Sequence, residues 1–283
     1  MRLGVVLSGT GVHGAACAGV LQELWRRQIE PHAVCALGSG AWPAALFAAG
    51  CDAAQMELAC KQAQRMGRRM LRKAPGGIKG RKAALYTAEG MQRLLQAQTG
   101  GRLLALCPRK AIFPLRSQRS GCMVFASRGC MVGEGAASCM QASAAFAARA
   151  AMGLPPFLET SQWMGMPLMP LRDDALAARL LVLAGAQRVL IVETQPQAGA
   201  CGDALLLAAA CMEHDREVAI ERTVRLTIRI PENIGALSFE RLVSCMEWGR
   251  RTAERELEGL FDAMGMAYCR VLPFKRALHP QSL

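Results

Sequence analysis

Aromatic side chains are scarce in this sequence, 5% of 283 residues, although 52% of the chain is hydrophobic. A core must therefore be built from Ala, Leu, Val and Met. No apolar run reaches 18 residues without a charge, so no helix is expected to span a bilayer. The twelve cysteines form no CxxC pair and no Cys/His metal spacing. They read as reduced, small core residues, and neither a metal nor another cofactor is expected. The first apolar stretch ends in glycines rather than a cleavage site, so no secretory signal is read and the cytoplasm is the default compartment. A chain of this length can bury a substantial core and is read as one α/β domain over residues 1–283.

What is present is concentrated at the start. Leu3 to Leu7 is a short apolar run stopped by Ser8-Gly9-Thr10-Gly11, the pattern of a buried parallel strand entering a tight turn. From Gly14 onward Ala18, Leu21 and Trp25 recur at helical spacing as far as Arg26-Arg27. A second apolar run, Ala33 to Leu37, breaks at Gly38-Ser39-Gly40, and a helix over Ala41–Ala49 is stopped by Gly50. Pro43 falls in its first turn, where proline is tolerated. A strand that meets a helix through so tight a turn has the geometry of a nucleophile elbow.

Leu7 to Leu21 resembles the opening glycine loop and helix of the patatin-like phospholipases, which show Gly-Gly-Gly-x-Arg-Gly followed by a helix ending in Gly-Val-Leu. Ala36 to Leu46 is similar to that family's Gly-x-Ser-x-Gly elbow and helix. In this register Gly38 occupies the nucleophile position and Ser39 falls one residue later. The resemblance implies a patatin-like α/β fold, a Ser-Asp dyad, an oxyanion hole from the glycine loop, and lipid acyl hydrolysis.

The elbow sterics favour Gly38 at the apex. The residues two before and two after must be small; Ala36 and Gly40 qualify, whereas Ser39 at the apex would require Leu37 and Ala41 there. Ser39 is then either a displaced catalytic nucleophile or a cap of the following helix. Gly9, Thr10, Gly11, His13 and Gly14 make up the loop. Its G-x-G-x-x-G spacing also fits a dinucleotide fold, but that reading wants an acid at the end of the second strand, which ends instead in Leu37-Gly38. Under either reading, backbone N–H groups gather at a helix start and suit an oxyanion or a phosphate. His13 stands where the family has Arg; it is either a pH-dependent charge at the loop or a surface histidine beside it.

The family's catalytic acid is also missing where it is expected. Ala142-Ser143-Ala144 and Pro155-Pro156-Phe157 are similar to the family's approach to its Asp-Gly-Gly. The matching region here, Thr160 to Pro167, carries no acid. Glu159 precedes it, and Asp173-Asp174 follows; one of the latter pair is expected to begin a helix over Ala175–Ala184, where acids favour the dipole.

The formal charge of +12 is uneven. Lys61, Arg65, Arg68, Arg69, Arg72, Lys73, Lys79, Arg81 and Lys82 accumulate before the next acid, Glu89, with Met66, Met70 and Leu71 among them. A basic amphipathic helix of this kind suits an anionic membrane surface; a solvated helix in a basic protein is the alternative. Nucleic acid is not expected, because aromatic interleaving and recognition motifs are absent.

Further along, a helix is expected over Met91–Gln98, strands over Ala111–Leu115 and Cys122–Ser127, and a helical stretch over Gly133–Ala151. A buried strand through Val189–Val192 follows, then a helix over Ala204–Glu213, an edge strand alternating Val224, Leu226, Ile228 and Ile230, and a long helix capped by Ser238. The fold expected is a largely parallel sheet flanked by helices on both faces. Two functions fit. One is a catalytically impaired patatin-like protein that binds lipid or an anion; the other is a serine acyl hydrolase using Ser39 or another displaced nucleophile.

Overall fold

A computed structural model describes residues 1–73, 84–117, 121–130, 140–155, 157–196 and 223–266. The helix expected over Ala204–Glu213, the stretch Gly133–Cys139, and Lys79, Arg81 and Lys82 lie outside them. The chain begins with strand β1 (Leu3–Gly9), a 3₁₀ turn over Gly11–Gly14 and helix α1 (Ala15–Arg26). Strand β2 (Ala33–Gly38) follows, then α2 (Ala41–Ala49) and α3 (Ala53–Met66). Gly50 ends α2 with φ +93°, and Asp52 and Gln55 form a capping box at the start of α3.

The middle of the chain holds β3 (Arg72–Lys73), β4 (Tyr86–Thr87), α4 (Glu89–Gln98), β5 (Lys110–Ser117) and β6 (Gly121–Ala126). Helix α5 (Ala144–Ala151) is capped by Ser143 Oγ, which accepts from the Phe146 amide. The helix expected from Gly133 thus begins only at Ala144, because residues 140–143 turn and Ser143 bridges to Leu103. Then come β7 (Ser161–Trp163), β8 (Met166–Pro170), α6 (Asp174–Leu183), β9 (Arg188–Pro196), β10 (Thr223–Ile230) and α7 (Leu242–Ala263). Ser238 makes no side-chain cap; a 3₁₀ turn over Phe239–Arg241 intervenes before α7.

The main sheet runs β10-β9-β1-β2-β5-β8-β7, with β6 also paired to β5. From β10 to β5 every pairing is parallel, and the β5, β6, β7 and β8 end is antiparallel. This is the mixed α/β architecture expected, with β10 at the edge. Strand alternation splits the core in two. Val5, Leu7, Val34 and Ala36 face a large cluster under α1, α2 and α7, whereas Val6, Cys35 and Leu37 face Ala177 and Leu181 of α6 on the other side. No described helix is long and apolar enough to cross a membrane.

The organising feature is the order at the sheet centre. Successive strands β1 and β2 are neighbours, while β9 returns to the far side of β1, so the crossover direction changes at β1. Ligand crevices in open α/β sheets form beyond the C-terminal strand ends at such a point. Gly9 and Gly38, the last residues of β1 and β2, are register partners. The glycine loop and the elbow therefore leave the sheet side by side.

Helices α1 and α7 pack backbone to backbone. A Cβ at Gly249 would stand 2.0 Å from the Ala16 carbonyl oxygen, whereas Gly259 on the same helix has nothing within 4 Å. Gly→Ala normally stabilises a helix interior by about 0.5–1 kcal/mol. Gly259→Ala should show that gain in urea unfolding, and Gly249→Ala should instead lose about 1–3 kcal/mol through overpacking.

Candidate functional site

The elbow is where the sequence places it. Gly38 closes β2 with φ +56°, a left-handed conformation that disfavours a side chain. A Cβ there would lie 2.3 Å from the Gly9 carbonyl oxygen. The next amide, Ser39 N–H, donates to that same carbonyl at 2.9 Å. In a working elbow the residue after the nucleophile supplies an oxyanion-hole donor; here that donor is bound to the loop itself. Other loop amides are likewise engaged: Val12 N–H donates to the Ala236 carbonyl at 2.8 Å and His13 N–H to the Thr10 carbonyl at 3.2 Å.

Ser39 is buried, 6% exposed, and its Oγ has no hydrogen-bond partner among the described residues. It does not cap α2, whose N-terminal residue Gly40 carries no side-chain cap. The hydroxyl rests instead against the loop, within 3.1 Å of where a Cβ would stand on Gly9 and about as close to Gly14. His13 is not at the surface: it is 1% exposed and its Nε2 meets the Ile234 carbonyl at 2.8 Å. A cysteine offers no substitute nucleophile nearby. Cys17, which donates to the Ser8 carbonyl, is fully buried, and burial pushes its thiol up to about 12, far from the thiolate that attacks.

The catalytic acid expected near Thr160–Pro167 finds a different explanation. That stretch is the β7–β8 hairpin, whose turn has positive φ at Met164 and Gly165, with Met164 82% exposed. The chain reaches the elbow only after β8, and the residue it presents there is Arg172. The Arg172 guanidinium lies 3.3 Å from the Cβ position of Gly38, and its Nη1 donates to Thr10 Oγ1 at 3.1 Å. Glu159 sits elsewhere, accepting from Arg149 at 2.8 Å and from the Ala88 amide. Asp173 caps α6 through the Leu176 amide, as expected of an acid at a helix start, and the buried Asp174 is held by Arg225 at 2.6 Å.

A narrow cavity of about 90 Å³ opens beside the elbow. This is several times the roughly 10–15 Å³ that one water requires. Ser39, Arg172 and the backbone of Gly11 and Val12 form its polar part. The remaining walls are apolar: Trp42 of α2, Met91, Leu94 and Leu95 of α4, and Tyr86, Phe157, Leu237 and Leu242. Among the described lining residues Arg172 is the one that carries a charge, and it is 8% exposed. The sequence reading missed both Arg172 and this wall. The signal for Arg172 was a basic residue between a proline-bounded strand and two acids; the wall left none, since its residues come from five separated stretches.

The basic face has a different shape from the one expected. Helix α3 stops at Met66, and Gly67 (φ +52°) leads into a 3₁₀ turn over Gly67–Met70. Lys61, Arg65, Arg68, Arg69, Arg72 and Lys73 are all exposed. Lys61 pairs with Glu57 at 2.6 Å. Met70 is buried, and Met66 and Leu71 pack against the core, so the apolar residues among the cations turn inward.

No protein-family model matches the sequence, and a search of curated proteins finds no match. Among solved structures, VipD from Legionella pneumophila aligns over 93% of this chain and 67% of its own, at 12% identity and a TM-score of 0.49. The type III effector protein ExoU aligns over 94% of this chain at 13% identity and a TM-score of 0.42. The chain spans 54% of the length of ExoU. Identities this low assign no chemistry, and the α/β class rests on the sheet order and helix layers described above.

Placing a hydroxyl at the apex should be costly. Gly38→Ser combines a left-handed residue with a Cβ crowding Gly9, and a loss of about 1–3 kcal/mol is expected in chemical denaturation. The variant should gain no esterase activity, because Arg172 cannot take up the serine proton.

Proposed function

We propose that this chain is a lipid- or anion-binding protein of patatin-like fold that has lost hydrolytic chemistry. The observation that carries the reading is the Arg172 guanidinium against Gly38, where hydrolysis would need a nucleophile and a proton acceptor. A guanidinium is an obligate donor and cannot act as a base. The Ser39 amide bonded to Gly9 adds support, because it withdraws the oxyanion donor as well. Loss of the serine of a hydrolytic triad costs on the order of 10⁶ in kcat, so binding is what such a site retains.

A second reading, a serine acyl hydrolase acting through Ser39, has one observation in its favour: Ser39 lines the cavity with its Oγ unbonded. Labelling with a fluorophosphonate probe separates the two. The expected outcome is no labelling, and no cleavage of p-nitrophenyl acyl esters above background. Labelling that disappears in Ser39→Ala would establish the hydrolase instead.

We further propose that the exposed cations from Lys61 to Lys73 attract an anionic membrane surface by charge alone. Each contributes about 1 kcal/mol near such a surface, and the inward packing of Met66, Met70 and Leu71 supplies no insertion. Co-sedimentation with anionic vesicles at low salt should be lost at 1 M salt, where the Debye length falls to about 3 Å. Reversing Arg68, Arg69 and Arg72 to Glu should abolish it without lowering the melting temperature.

A further inference from the structure

Building on the lipid- or anion-binding reading, we propose that the cavity beside the elbow holds a free long-chain fatty acid. Its carboxylate would meet Arg172, and its single alkyl chain would lie along the α4 wall. The charge of the cavity decides the head group. Arg172 is the charged lining residue among those described, and more than nine-tenths of it is buried. A guanidinium carries five N–H donors in a planar fork, enough to hold Thr10 and still offer a two-pronged face that matches a carboxylate. One such cation balances one negative charge. A phosphate monoester would bring nearly two, and the Val12 and Ser39 amides that would help hold it are already bonded within the protein.

The walls decide the tail. Beyond Arg172 and Ser39 the cavity is lined by Met91, Leu94, Leu95 and aromatic rings, and its volume of about 90 Å³ is narrow. These surfaces suit one alkyl chain, which gains about 0.8 kcal/mol per buried methylene, better than a pair of chains. The surroundings favour delivery of an anion. Leu71 and Tyr86 of the wall adjoin strand pair β3–β4, where Tyr86 faces Lys73 and Arg72 follows Leu71. Cations beside a cleft raise the local concentration of anionic ligands.

Calorimetric titration of the intact chain with dodecanoate, dodecan-1-ol and dodecyl phosphate tests the assignment. Wild type should bind dodecanoate at least tenfold more tightly than the alcohol of equal length. Arg172→Gln should lose that tenfold preference while keeping its affinity for the alcohol, and Arg172→Lys should retain part of it. Leu94→Trp, which fills the cavity, should weaken acid and alcohol alike. The proposal is overturned if wild type binds acid and alcohol equally, binds neither, or prefers dodecyl phosphate; unchanged dodecanoate affinity in a folded Arg172→Gln protein also overturns it. Should Arg172→Gln fail to fold, the wild-type comparison and Arg172→Lys still decide. These outcomes are independent of the fluorophosphonate result: an unlabelled protein that ignores dodecanoate sinks this assignment alone.

Discussion

One hydrogen bond organises the centre of this molecule: the Ser39 amide donating to the Gly9 carbonyl at 2.9 Å. It extends the β1–β2 pairing one step past the register partners Gly9 and Gly38 and ties the elbow to the glycine loop. Because that carbonyl lies 2.3 Å from the space a Gly38 Cβ would occupy, the bond and a side chain at the apex exclude each other. A hydrolase elbow holds its nucleophile outward and leaves the following amide open to an oxyanion. Here the same backbone groups satisfy one another, which avoids buried, unpaired donors.

Arg172 follows from that closure. With no side chain at position 38, there is room above the elbow, and the guanidinium at the end of β8 fills it and bonds Thr10 across the gap. Burying a cation is costly unless it is hydrogen-bonded and balanced by negative charge. The same cation at the head of an apolar cavity turns a site laid out for acyl chemistry into one suited to hold an anion. Substituting one basic residue at a strand end changes what the site can do without changing the sheet that carries it.

Much of this was legible along the chain. Period-two and period-3.6 patterning located β1, α1, β2 and α2 within a residue or so, since each is buried on the faces its pattern prescribes. Gly38 at the apex, rather than Ser39, was legible from the small residues Ala36 and Gly40 flanking it. The edge position of β10 followed from its alternation with Arg225 and Arg229. Elements set by short-range competition were harder. The β7–β8 hairpin was read as the approach to a catalytic acid, because its short strands carry weak patterning and its turn residues, Met164 and Gly165, are not a typical turn pair. The basic stretch was read as one amphipathic helix, whereas Gly67 ends it and sends Met70 into the core.

The sequence by itself determined the α/β class, the glycine loop, the elbow and the missing serine at its apex, because each depends on residues near one another in the chain and on local backbone sterics. Only the tertiary structure decided the rest. It turned His13 inward to Ile234, spent the Ser39 amide on Gly9, and brought Arg172 to Gly38 across more than a hundred residues. It also assembled the cavity wall from five stretches with no shared pattern. Such contacts depend on strand order and register, which are settled by burial of the whole sheet rather than by any segment.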